Sequence, residues 1–330
     1  MSVTPLVTTA LSSVDGDAGV LRLRGFSIED LVAAGVSYAA AVDLLFSGEL
    51  GAADDVEARL VSLPLVALDG DPFVALRRAI ALAAGDDDVA VAGMCGRLVG
   101  ALSGRGEQAG GYVARILRGA SDADVDDDDV TALDRCFVVH LDHALNPGTL
   151  CARVAASTGA SLSACITAGL CALEGPLHGG ASTAVGFMLE EEMAGPDDVD
   201  GWLAARKASK RRVPGFGHPI YRQRDPRAAV LRAIVEQAAD RRRQRRFVDT
   251  AIALEERVRA SSDGKLFANV DFYAACLYAT LGVPLALHTA LFFAARVLGW
   301  TAHVHEQRAR GRVISPEAGY DGPPARSPIR

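Results

Sequence analysis

Residues 272–295 read FYAACLYATLGVPLALHTALFFAA, twenty-four residues without a formal charge, held between Asp271 and Arg296. A run of that length and composition goes either into a bilayer or into a protein core. Gly282 and Pro284 divide it into halves of about eleven residues, each short of the ~20 that a membrane-crossing helix needs. The run therefore reads as two buried core helices, with the rest of the chain arranged to cover them.

Half of the 330 residues are apolar, enough for one large core or two unequal domains. Apolar residues recur at helical spacing through 73–84, 89–102, 111–117, 130–141 and 148–171, separated by Gly- and Asp-rich turns. Residues 185–192, 200–209, 228–239 and 247–260 are helical too, and Ser27 and Ser37 open two further helices. Residues 14–24, VDGDAGVLRLR, read as a turn and a small hairpin edge. No Val/Ile-rich runs alternate with the helices as a parallel sheet requires, so the class is all-α.

The net charge of −7 argues against nucleic acid or an anionic membrane as a general partner. Six cysteines without a CxxC pair, and an amino terminus without a charged-then-apolar signal layout, point to a cytoplasmic protein with reduced thiols. The acidic clusters at 86–88 and 122–129 read as solvated turns. The basic run RRRQRR at 241–246 reads as a solvated turn or helix end, with a lip that attracts polyphosphate as the functional alternative.

Residues 214–227, PGFGHPIYRQRDPR, hold one histidine, three arginines, two glycines and three prolines. The prolines stop a helix from running through and the glycines let backbone approach a ligand, so this loop reads as the floor of an anion site. Of seven histidines, His140, His143, His178 and His218 sit in Gly- or Asp-rich settings. His288, His303 and His305 lie in helical or C-terminal contexts and read as structural. His140 and His143 have helical metal spacing, but their one nearby carboxylate, Asp142, faces elsewhere, and no metal site is expected.

His178, among Gly175, Gly179 and Gly180, can be kept neutral near a helix N-terminus and still donate to a carbonyl oxygen. Asp271, against Phe272 and Tyr273, can have a raised pKa and act as a base towards a weakly acidic C–H. The bland readings are a packed turn for His178 and an N-cap for Asp271. Together with the arginine loop they supply what proton abstraction beside a carbonyl requires: a base, a donor on the enol oxygen and cations for an anionic partner.

GPLHGGA, GFGHPIYRQRDPR and NVDFYAACLYATLGVP followed by FFAARVLGWTAHVHEQ together resemble citrate synthase. The likeness extends to DGDAGVLRLRGFSIEDL and LDHALNPGTLCARVAAS, nearly the whole chain in the family's order. It implies an all-α homodimer with a large domain, 1–182 and 279–330, and a small domain, 183–278, that closes over the substrates. It also implies that His178 polarises the thioester of an acyl-CoA, Asp271 removes the α-proton and His218 protonates the carbonyl of a 2-oxo acid. By position His143, Arg227 and Arg296 would bind the oxo acid, and Arg222 a CoA phosphate; no cofactor or metal is implied, CoA being a substrate.

Ser315, followed by Pro316 and Glu317, stands where the family usually supplies a carboxylate-binding arginine to the partner subunit. Ser182 replaces an asparagine, NPGT replaces NAST after His143, and Ala274-Ala275 replaces Ser-Gly. The implied reaction joins acetyl-CoA to oxaloacetate by default. Propionyl-CoA or another oxo acid is an alternative, with Arg308, Arg310 or Arg312 as a substitute cation. A non-catalytic paralogue that pairs with an active enzyme is the alternative of another class.

Overall fold

The computed structural model describes residues 6–324 except 52, 66, 67, 69 and 70, so residues 1–5 of the amino-terminal reading lie outside it. The chain begins with β1 (Ser12–Asp15), β2 (Val20–Leu23) and β3 (Phe26–Ser27), an antiparallel sheet that pairs Ser12 with Leu23 and Leu23 with Phe26. Helices follow: α1 (Ile28–Ala33), α2 (Tyr38–Ser47), α3 (Asp54–Leu60), α4 (Pro72–Leu82), α5 (Asp88–Ala101), α6 (Tyr112–Ala120) and α7 (Asp127–His140). Then come α8 (Pro147–Ser157), α9 (Leu162–Leu173), α10 (Gly180–Glu191) and α11 (Val199–Ala208). The last are α12 (Pro226–Arg242), α13 (Arg246–Ser261), α14 (Val270–Thr280) and α15 (His288–Arg310).

The helix starts follow local capping chemistry. Ser27, Ser37, Ser161 and Asn269 each accept a first-turn backbone N–H, and Asp71, Asn146 and Asp225 do so ahead of a proline. Residues 148–171, read as one apolar stretch, form two helices, because Gly159 turns at φ +81° and Ser161 caps a fresh start. Asp271 is not the N-cap of α14: Asn269 is, and its side chain receives the Asp271 amide at 3.1 Å.

The uncharged run is buried as expected, but its halves are unequal. Gly282 (φ +71°) ends α14, and the second half joins a 23-residue α15 that is buried from His288 to Val304. The stretch Leu285–Arg310 is long and apolar enough to cross a membrane, yet 89% of its apolar window lies inside the protein. Helices α8, α9 and α5 pack on it. A Cβ at Gly148 or Gly169 would fall 2.7 or 2.8 Å from the Trp300 ring, so glycine sets the approach of α8 and α9 to α15.

The acidic segment 122–129 is largely exposed and the basic run spans the end of α12 and the start of α13, as expected, but the two also meet as ion-pair partners. Asp126 and Asp129 form the capping box of α7, and buried Asp129 pairs with Arg241 and Arg242. Arg245 bonds Asp240 and Asp249, and the Arg246 guanidinium donates to the carbonyls of Met193 (2.7 Å) and Ala194 (2.9 Å). Through these contacts the run fastens α12 and α13 to their neighbours.

Gly299 of α15 faces the backbone at Leu141, and a Cβ there would fall inside contact distance of the Leu141 carbonyl oxygen. Backbone cannot step aside as a side chain tip can. Gly299→Ala is expected to lower unfolding free energy by about 2–3 kcal/mol in urea titration.

Candidate active site

A cavity of about 350 Å³ is lined by His143, His178, His218, Arg227, Asp271 and Arg296. These are six of the seven site residues expected from the sequence, drawn from positions 143 to 296. The seventh, Arg222, is exposed and lies outside the lining; its backbone amide donates to Gly16 O at 3.0 Å, which holds its loop against the β1–β2 turn.

The loop 214–227 is anchored at both ends. Gly217 N donates to Phe267 O at 2.9 Å and Asn269 N to Gly215 O at 2.9 Å, so the loop lies along the entry to α14. Gly215, at φ +79°, has Phe272 and Val185 atoms 2.8 Å from where a Cβ would stand, a position no other residue fits. Asp225 caps α12, receives Val270 N at 3.0 Å and pairs with Arg227 at 2.9 Å. Asp225 is a functional residue not among those expected from the sequence. The pattern Asp-Pro-Arg at a helix start was the available signal.

Two donors converge at His218. Its Nδ1 accepts the amides of Ile220 (3.1 Å) and Tyr221 (3.2 Å), which assigns the ring proton to Nε2. Arg227 Nη2 stands 3.3 Å from that Nε2. Two N–H donors cannot satisfy each other, so both are presented to a common acceptor, the arrangement an oxyanion or carbonyl oxygen requires. His143 adds a third ring, its Nε2 3.1 Å from the Tyr221 hydroxyl.

His178 lies in the turn just before α10, and its Nε2 is buried without a partner. Burial, and next the charge of Arg296, push its pKa down to about 4, so the imidazole is neutral at pH 7. His218 is likewise lowered to about 4, by burial and then Arg227. Asp271 moves the other way, raised to about 6 by burial against the hydrogen bond from Ser182. A base near neutrality beside neutral imidazole donors can take a proton from carbon and stabilise the resulting enol.

Arg296 is fully buried in α15. Its Nε donates to the His140 carbonyl, its guanidinium lies 4.8 Å from the Phe292 ring centroid, and Nη2 has no partner. An unsatisfied guanidinium N–H beside a cavity is a binding group awaiting an anion.

Asp142 does face away from His140 and His143. It accepts from Ser12 Oγ and lies 3.1 Å from His303 Nε2. Arg153 Nη1 donates to His303 Nδ1 at 2.8 Å, which puts the ring proton on Nε2 towards Asp142. Ser12 Oγ also receives Ala144 N at 2.9 Å, so this buried network ties β1, α8 and α15 to the loop that carries His143. His303 is structural, as expected. Among the described residues no group of three or more His, Cys, Asp or Glu is placed to hold a metal ion.

These burials set the acid stability. Burial first, then other contacts, takes His140 down to about 3, His288 to about 4 and His143 well below 6.5. A depressed folded pKa gives stability that is present above the unfolded value and lost as pH falls. Asp134 and Asp271, raised to about 7 and about 6, oppose this by binding protons first in the folded state. With His178 and His218 also lowered, five depressed imidazoles outweigh two raised carboxylates, so the unfolded chain binds more protons and stability falls as the pH is lowered from about 6 to 5. Urea titrations at those pH values check it, and a stability that rises on acidification would refute it.

The chain matches the family model described as citrate synthase, C-terminal domain, over residues 80–317. It is 32% identical to citrate synthase of Saccharolobus solfataricus over an alignment of 356 positions, 96% of this chain and 93% of that protein. It is 35% identical to 2-methylcitrate synthase of Shewanella oneidensis over 216 positions, 66% of this chain and 56% of that protein. Among solved structures it superposes with a TM-score of 0.85 on citrate synthase from Thermoplasma acidophilum in complex with carboxymethyl coenzyme A and oxaloacetate. The two are 26% identical, over 99% of this chain and 96% of that one.

Proposed function

Because the chain belongs to the citrate synthase family, we propose that its cavity condenses an acyl-CoA with a 2-oxo acid and releases CoA, with acetyl-CoA and oxaloacetate as the default pair. The observation that carries this is one cavity in which a carboxylate with a pKa of about 6 meets neutral imidazoles and two buried guanidinium groups. Asp271 removes the α-proton while His178 donates to the thioester oxygen, so charge on the enol is stabilised as it forms. The enol carbon attacks the oxo carbon, whose oxygen takes a proton from His218 with Arg227 alongside. Water then cleaves the thioester. Arg296 and His143 orient the acceptor's carboxylate groups.

The cavity takes His143, His178 and Arg296 from residues 1–182 and 279–330, and His218, Arg227 and Asp271 from 183–278. That division supports a large and a small domain that close over the substrates. Leu177 and Ile220 line the cavity yet are exposed, which suits a mouth that a bound CoA would cover, with Arg222 on a phosphate. No residue beyond Arg296 lines the cavity among those described. By the family resemblance the C-terminal segment would serve the partner of a homodimer, with Ser315 in place of the usual arginine.

Propionyl-CoA as donor is the second reading, favoured by the likeness to 2-methylcitrate synthase. A free-thiol assay over a panel of acyl-CoAs and oxo acids decides: release with acetyl-CoA and oxaloacetate is expected, and release with no pair overturns the proposal. The complete His178, His218 and Asp271 set opposes a non-catalytic paralogue.

A further inference from the structure

Ser182 sits in the first turn of α10, four residues after His178, and is completely buried. A serine in that turn commonly bonds back to its own helix. Here the hydroxyl turns outward and Oγ donates to Asp271 Oδ1 at 2.7 Å, across to the first turn of α14. It is the hydrogen-bond donor to the Asp271 side chain among the described residues.

We propose that Ser182 is the positioning residue of the base, holding Oδ1 so that Oδ2 is the oxygen presented to the substrate. Three observations support it. The bond is short and its donor is fully buried, so water does not compete for the Ser182 hydroxyl. It joins the segment that carries His178 to the helix that carries Asp271, and thereby sets the distance between proton donor and proton acceptor on one substrate. Finally, Thr183, the next residue, bonds Thr289 Oγ1 at 2.8 Å, and Thr289 in turn donates to Gly179 O at 2.9 Å, so this turn of α10 is clamped to α15 and cannot drift with the serine.

The same bond tunes the base. Asp271 is faced by Arg227 and Asp225 from α12, by Arg296 from α15, and across the cavity by His178 and His218. Burial raises its pKa, and the Ser182 bond is the largest influence in the opposite direction, ahead of either arginine. A carboxylate with no donor would be protonated at neutral pH for a larger share of the time and would lose its orientation. A serine meets both needs within a space where the asparagine that the family resemblance leads one to expect would be bulkier.

The role as base rests on the condensation reading, so the test has a readout that needs no turnover. The carboxylic acid C=O band of the buried aspartate is followed by infrared difference titration of the substrate-free protein and assigned by its loss in Asp271→Asn. In Ser182→Ala its midpoint is expected to rise by about one pH unit, the size of one lost hydrogen bond to a charged group. Ser182→Cys, a weak donor of nearly the same shape, should give a smaller rise, and Thr183→Ala none. The acidic limb of kcat should move with the band while KM for acyl-CoA stays within about twofold.

An unshifted midpoint in Ser182→Ala overturns the proposal, as does an equal shift in Thr183→Ala, which would make the effect one of helix packing. The shift in Ser182→Ala together with a wild-type protein that releases no CoA would leave the positioning bond standing and refute the condensation reading instead.

Discussion

Asp271→Asn is expected to lower kcat for CoA release by about 10³-fold or more, with KM for acyl-CoA changed little. The amide has the shape of the carboxylate and can still accept from Ser182, so the fold should hold. What it lacks is a basic oxygen. The pH dependence in the parent protein identifies the same group. With a pKa of about 6 raised by burial, Asp271 is ionised and active above that value and protonated below it, so kcat falls on the acid side through about pH 6. His178 and His218, at about 4, are neutral throughout that range and add no limb of their own above it. A variant that kept a tenth of the parent rate would show that the proton goes elsewhere.

Arg296→Met should separate binding from stability. The guanidinium is enclosed, with Nη2 unpartnered, and burial lowers its pKa to about 10, a sign of how poorly the charge is compensated without an anion. Removing it should raise KM for the oxo acid by about 100-fold or more, the effect of truncating one partner of a buried charge pair. The substrate-free protein should lose nothing and can gain about 1 kcal/mol, because methionine fills similar space beside Phe292 without an uncompensated charge. Urea titration and acceptor saturation curves check both halves. A loss of about 3 kcal/mol in the free protein would instead assign Arg296 a structural role through its bond to the His140 carbonyl.

The all-α class was legible because helical periodicity, N-caps and turn glycines are written within ten or so residues of each other. Burial of 272–295 was legible for the same kind of reason, since no other setting accepts so many uncharged apolar residues. What depends on a distant partner was not legible. The segments 122–129 and 241–246 are largely exposed, as their composition suggests, but that Asp129 is buried as the counterion of Arg241 and Arg242 is not written in either, because attraction between segments over a hundred positions apart leaves no local periodicity. Asp225 was passed over on similar grounds, as its two uses, capping α12 and neutralising Arg227, become visible together only when Val270 arrives beside it.

The site divides along the same line. Residue type and neighbouring glycines already marked His178, His218, Asp271 and the arginines of 214–227, since chemical identity belongs to the residue itself. Their protonation states do not. A pKa near 6 for Asp271 and near 4 for two histidines comes from burial, and burial is a property of what the chain packs around a group. The uncharged run between Asp271 and Arg296 required a core helix by its own composition. Only packing placed those two charges at the edge of one cavity, where α14 and α15 meet the loop 214–227 and Ser182 reaches the base.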